Sequence, residues 1–116
     1  CGGGSSPTAP SPFSQILAGT VSSFGYTQHA VSVPRSGTMT VTLSWATSAA
    51  DLDLYLTSSS CADVYLSACA RLAVSDGAIG TSEVITRTVA SGETFKVWVD
   101  SFSFSPHSYT LQIRIE

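Results

Sequence analysis

Apolar and polar residues alternate along several short runs, the signature of strands with one buried and one wet face. The cleanest is TMTVTLSWA, with Met39, Val41, Leu43 and Trp45 on one face and Thr38, Thr40, Thr42 and Ser44 on the other. In ADLDLYL, Leu52, Leu54 and Leu56 point one way, and Asp51, Asp53 and Tyr55 the other. TFKVWVDSF places Phe95, Val97 and Val99 inward and Lys96, Trp98 and Asp100 outward. YTLQIRIE places Tyr109, Leu111, Ile113 and Ile115 inward, and His29 shares a face with Val31 and Val33 in a run that Pro34 ends. EVITRTV reads as a further strand, and RLAVSD as a short one with Leu72 and Val74 inward. Phe13, Ile16 and Leu17 form a docking turn or a first strand, while the segment from Ser58 to Ala70 reads as irregular. Six to eight short strands punctuated by Gly, Ser and Pro predict an all-β fold: an antiparallel β-sandwich of jelly-roll-like kind.

Composition sharpens this picture. The chain has 116 residues, 43% hydrophobic and only 11% charged, which suits one β domain with a real core and argues against a disordered body. The net charge is −3, and Arg35, Arg71, Arg87, Lys96 and Arg114 are scattered. Nothing offers a phosphate footprint, so nucleic acid is excluded as a partner. The Gly/Ser/Pro tract from Gly2 to Ser14 reads as a linker, which divides the chain into residues 1–14 and a single domain over residues 15–116. Cys1 followed by that tract resembles the N-terminus of a mature bacterial lipoprotein. The resemblance implies acylation of Cys1, a membrane as partner, and a place in the bacterial envelope, with the outer membrane favoured. With Cys1 so used, Cys61 and Cys69 remain to form a disulfide across CADVYLSAC, which an exported compartment permits. Two free buried thiols are the alternative.

The order of HAVSVPRSGTMTVTLSW, DLDLYL, SEVI and SGETFKVWVD…SYTLQIRIE resembles the bacterial pre-peptidase C-terminal domain, over about Gly19 to Glu116. That family is a small β-sandwich related in fold to the collagen-binding domains of bacterial collagenases. The sequence departs from it after DLDLYL, where TSSSCADVYLSAC replaces a shorter Gly-rich turn.

Two constellations carry candidate chemistry. Asp51 and Asp53 are candidate ligands for calcium, which the resemblance implies; calcium needs six to eight oxygens, so Asp63, Asp76 or Glu83 and backbone carbonyls would have to complete the site. The alternative is that Asp51 caps a turn and Asp53 bonds a neighbouring loop. Trp98 with Tyr55, or with Phe102 and Phe104, is a candidate contact patch for an extracellular polypeptide or a glycan, unless a loop or the N-terminal segment covers Trp98. No Gly-x-Ser-x-Gly elbow or Ser-x-x-Lys pair is present, and His29 and His107 lie in a strand and a loop. The expectation is a non-enzymatic, lipid-anchored envelope module for adhesion or protein and glycan interaction. The alternatives are an accessory subunit of an envelope machine and, last, a metal-dependent or hydrolytic enzyme.

Overall fold

The computed structural model describes residues 12–66, 68–77 and 80–116. Eight strands are present: β1 (Phe13–Val21), β2 (Tyr26–Ser32), β3 (Gly37–Trp45), β4 (Leu52–Ser58), β5 (Arg71–Ser75), β6 (Ser82–Val89), β7 (Thr94–Ser101) and β8 (His107–Ile115). They form two four-stranded sheets in the orders β1-β8-β3-β6 and β2-β7-β4-β5, with every neighbouring pair antiparallel. Successive strands cross between sheets except at β4–β5, so the sandwich has jelly-roll order. Phe13 and Ser14, at the end of the tract read as a linker, already belong to β1. Cys1 lies outside the described residues.

Alternation sets the core. Met39, Val41 and Leu43 of β3 and Leu111, Ile113 and Ile115 of β8 face Leu52, Leu54 and Leu56 of β4 and Phe95, Val97 and Val99 of β7 between the sheets. Each such side chain contributes about 1.5–3 kcal/mol when fully buried. His29 and Thr27 face inward from β2, and each comes 2.6 Å from the Tyr109 hydroxyl. Burial pushes the His29 imidazole below its usual pKa. Gly19, paired with Tyr109, leaves the space this ring needs: a Cβ there would lie 2.5 Å from the hydroxyl oxygen.

One facing differs from expectation. In β5 it is Ala73 that packs against the core, while Leu72 and Val74 are exposed on the outer face. Ala73 pairs with the inward Leu56, and Val74 with the outward Tyr55. Five residues offer two equally regular alternations, and the register, shifted between Leu56 and Thr57, decides between them.

Because the pairing is antiparallel throughout, the β1–β2, β3–β4, β5–β6 and β7–β8 loops gather at one end of the sandwich. Main-chain bonds tie them together: Phe24 N–H to Ser103 (3.2 Å), Ser101 N–H to Gly25 (2.9 Å), Phe102 N–H to Asp51 (2.9 Å) and Trp45 N–H to Thr81 (3.0 Å). The Asp51 N–H also donates to the Ser103 hydroxyl at 2.8 Å.

Candidate functional site

The outer face of the β2-β7-β4-β5 sheet is built from cross-strand rows. In one, Gln28, Trp98, Tyr55 and Val74 lie side by side; in the next, Tyr26, Asp100 and Asp53 do. The segment between β4 and β5 folds back over these rows, clipped by the Cys61–Cys69 disulfide. Cys61 and Val64 pack on Tyr55 and Trp98 to make a second small core, with Cys69 against it. Lys96 Nζ holds the roof by donating to the Cys61 carbonyl at 2.6 Å. Tyr65 holds it by donating to Asp100, and the Arg71 guanidinium lies 4.4 Å over the Tyr55 ring. The Trp98 indole N–H donates to Thr57 Oγ1 at 2.9 Å.

Trp98 and Tyr55 do face outward, as alternation requires, but Trp98 is 0% exposed and Tyr55 is buried beside it. They are therefore not a contact surface. The disulfide-clipped loop occupies the place where a ligand would sit. A bridge of this kind persists in an oxidising compartment, so it points to an exported chain.

The acids are arranged unexpectedly. β4 starts at Leu52, leaving Asp51 in the preceding loop, where its main chain joins the Ser103–Phe102 turn. Asp53 instead sits directly opposite Asp100, a like-charged pair across neighbouring strands. Asp53 is 6% exposed and Asp100 fully buried, and in each one carboxylate oxygen, Oδ1, has no hydrogen-bond partner. The Tyr55 hydroxyl donates to the other Asp53 oxygen at 3.4 Å. Burial first, then the charges of Asp51, Asp76, Asp100 and Glu83, push the Asp53 carboxyl up to about 7. Burial raises Asp100 as well, against the pull of Tyr65 and Arg71. Glu83 is buried at the same end, accepting from the Ser75 hydroxyl and from the Gly77 N–H at 3.3 Å.

Among the described residues, no three His, Cys, Asp or Glu side chains are grouped so as to hold a metal ion. Asp51 and Asp53 are therefore not joined by a third such side chain in a ready-made group.

Three of the exposed aromatic side chains stand at the loop tips. Phe24, Phe102 and Phe104 are 54%, 47% and 90% exposed, and Phe24 meets Phe104 edge-to-face at 4.9 Å between ring centroids. Phe24 has φ of 51°, the left-handed region. A non-glycine residue pays about 1–2 kcal/mol there, and such strain concentrates where structure serves binding. Its N–H bond to Ser103 and the Gly25 N–H bond to Ser22 (3.0 Å) fix the turn. Sequence reasoning named Phe102 and Phe104 but not Phe24. The signal was an aromatic set in the Ser-Ser-Phe-Gly turn between two strands.

The outer face of the β1-β8-β3-β6 sheet is open and rich in Ser and Thr. It carries a shallow depression of about 680 Å³, bordered by Ala18, Thr20, Ser44, Trp45, Ser108 and Thr110.

No protein-family model matches the sequence, and no curated protein does. Solved structures do. A mitogen derived from Yersinia pseudotuberculosis aligns with a TM-score of 0.65 at 18% identity, over 90% of this chain and 87% of that one. A periplasmic inhibitor of g-type lysozyme from Aeromonas hydrophila gives 0.66 at 12% identity, over 94% and 91%. The pre-peptidase C-terminal domain of a Bacillus anthracis collagenase gives 0.64 at 10% identity, over 85% and 87%. At these identities the likeness is one of fold, and at that level the resemblance seen in the sequence is met.

Proposed function

We propose that the chain is a non-catalytic binding module of the bacterial envelope, which holds a partner polypeptide against its loop end. One observation carries this reading: three phenylalanines at adjoining loop tips stand exposed on a backbone that hydrogen bonds fix in place, one of them at a conformational cost. Aromatic side chains on rigid supports are the usual anchors of protein interfaces. The name of one fold relative, a periplasmic inhibitor of g-type lysozyme, supports binding over catalysis. The contact thus moves from the sheet face, where the sequence suggested it, to the loops.

A photo-crosslinking side chain at position 104, in cells that make the protein, is expected to give a discrete adduct that the same group at Thr42 does not give. An adduct at 42 alone would transfer the contact to the open Ser/Thr face and its depression. No adduct at either position would end the reading.

A lipid anchor at Cys1 completes the proposal, supported by the Gly/Ser/Pro tract behind that residue. Two or more acyl chains anchor stably where one does not. Protein extracted from its own membranes is expected to have an intact mass greater than the polypeptide by those chains. A mass equal to the oxidised polypeptide would overturn the anchor and leave the binding reading intact.

A further inference from the structure

We infer that the loop end recognises a cationic amphipathic polypeptide segment, whose apolar side chains pack on Phe24, Phe102 and Phe104 while its basic groups meet the carboxylates around them. The inference rests on the loop-end contact proposed above and names the class of its partner. Of the chain's eight acidic residues, five (Asp51, Asp53, Asp76, Glu83 and Asp100) lie in or beside the four loops of this end, close enough for the other four to act on Asp53. None of the five Lys and Arg residues lies in loops 22–25, 46–51, 76–81 or 102–106. Arg71, over the Tyr55 ring, is the cation that acts on Asp100. Burial holds the Asp53 and Asp100 carboxyls toward their neutral form, so the accessible negative charge of this end is that of Asp51 and Asp76, and its loops carry no Lys or Arg to offset it.

Two independent features make it more than a collection of acids. The Oδ1 atoms of Asp53 and Asp100, on side chains more than nine-tenths buried, have no hydrogen-bond partner. The phenylalanines place exposed apolar surface at the same loops: the Phe102 N–H bonds the Asp51 carbonyl, and the Phe24 N–H bonds Ser103, whose hydroxyl takes the Asp51 N–H. An aromatic centre beside negative charge is complementary to a segment that is both greasy and basic. An anionic lipid surface is the wrong match, because that charge repels it and the loops carry no Lys or Arg to offset the repulsion.

The test uses the full chain and a fluorescent amphipathic peptide of Leu and Lys, with two counterparts: one of Leu and Glu, one of Ser and Lys. The Leu/Lys peptide is expected to bind at least about tenfold more tightly than either counterpart, a difference of about 1.4 kcal/mol. Phe24→Ser combined with Phe104→Ser is expected to weaken it about tenfold or more. Asp51→Asn combined with Asp76→Asn is expected to weaken it roughly threefold and to flatten its salt dependence. Phe104→Ser alone, at a 90% exposed position, guards against misfolding, and melting curves accompany every variant.

Equal binding of the Leu/Glu peptide would overturn the cationic class. The loop contact would survive that result if the phenylalanine variants still weakened binding. Full affinity in the phenylalanine variants would overturn both readings. Binding to phosphatidylglycerol or phosphatidylcholine vesicles without binding to the Leu/Lys peptide would overturn the inference in favour of a membrane.

Discussion

Trp98→Ala is expected to destabilise the domain by about 3–5 kcal/mol, the usual cost of truncating a large buried aromatic. The indole is 0% exposed beneath the disulfide-clipped loop, in contact with Tyr55, Cys61 and Val64, and its N–H bonds Thr57. Removing it opens a cavity between sheet and roof and takes the donor from Thr57 Oγ1. For a domain of this size the melting temperature is expected to fall by at least about 12 °C, at 4 °C or more per kcal/mol. The same loss is expected at any concentration of any ligand, because the residue supports the fold rather than a contact. A variant that melts with the wild type would mean that the roof does not pack on this face. The disulfide acts on the same unit: closing so short a loop stabilises by roughly 2–3 kcal/mol in the chain-entropy model. Reducing it is expected to loosen the roof that Lys96 and Tyr65 pin down.

Trp98 also shows where legibility in the sequence stopped. Alternation in TFKVWVDSF correctly assigned the indole to the outer face, since a strand's side chains have no other choice. It says nothing about what lies above that face. The covering segment was visible as a cysteine-bounded insertion, and its bridge was expected, but its fold back over the sheet depends on contacts with Lys96 and Asp100 some 35 residues away in the chain. The same limit applies to the acids. Asp53 and Asp100 were each legible as outward acids, but their apposition is a matter of register between β4 and β7. Asp51, two residues from Asp53, was the natural partner to choose from sequence and belongs to a loop instead. In β5 the run was too short to fix its own phase, and Leu72 and Val74 emerged on the wet side. By contrast β3 and β8, nine residues each with strict alternation, left no second solution, and their apolar faces are the centre of the core. Phe102 and Phe104 were noticed as possible companions of Trp98. The structure parts them from it and gives them Phe24, because antiparallel pairing brings the β1–β2 and β7–β8 loops to the same end.

The second large effect is one of pH. The Asp53 carboxyl is raised to about 7 by burial and by Asp51, Asp76, Asp100 and Glu83, whereas in the unfolded chain it returns to about 3.9. Below about pH 4 both states hold the proton and the group is neutral to stability. Between about pH 4 and 7 the folded state holds a proton that the unfolded state has released. Stability therefore falls as pH rises through that window, by up to about 1.4 kcal/mol per unit from this group, and levels off above it. Asp100 is shifted in the same direction and adds to the slope. His29, whose pKa is lowered, works the opposite way and costs stability as pH falls below its unfolded value. The difference between wild type and Asp53→Asn isolates the carboxyl from that background. An amide has nearly the same shape and cannot ionise, so the variant is expected to exceed the wild type in stability at pH 8 by roughly 2–4 kcal/mol. The advantage should shrink steadily toward pH 4. Urea unfolding at several pH values measures it. An Asp53→Asn variant whose pH profile runs parallel to that of the wild type would mean that Asp53 ionises as freely folded as unfolded, and that the like-charged pair across β4 and β7 is solvated rather than buried.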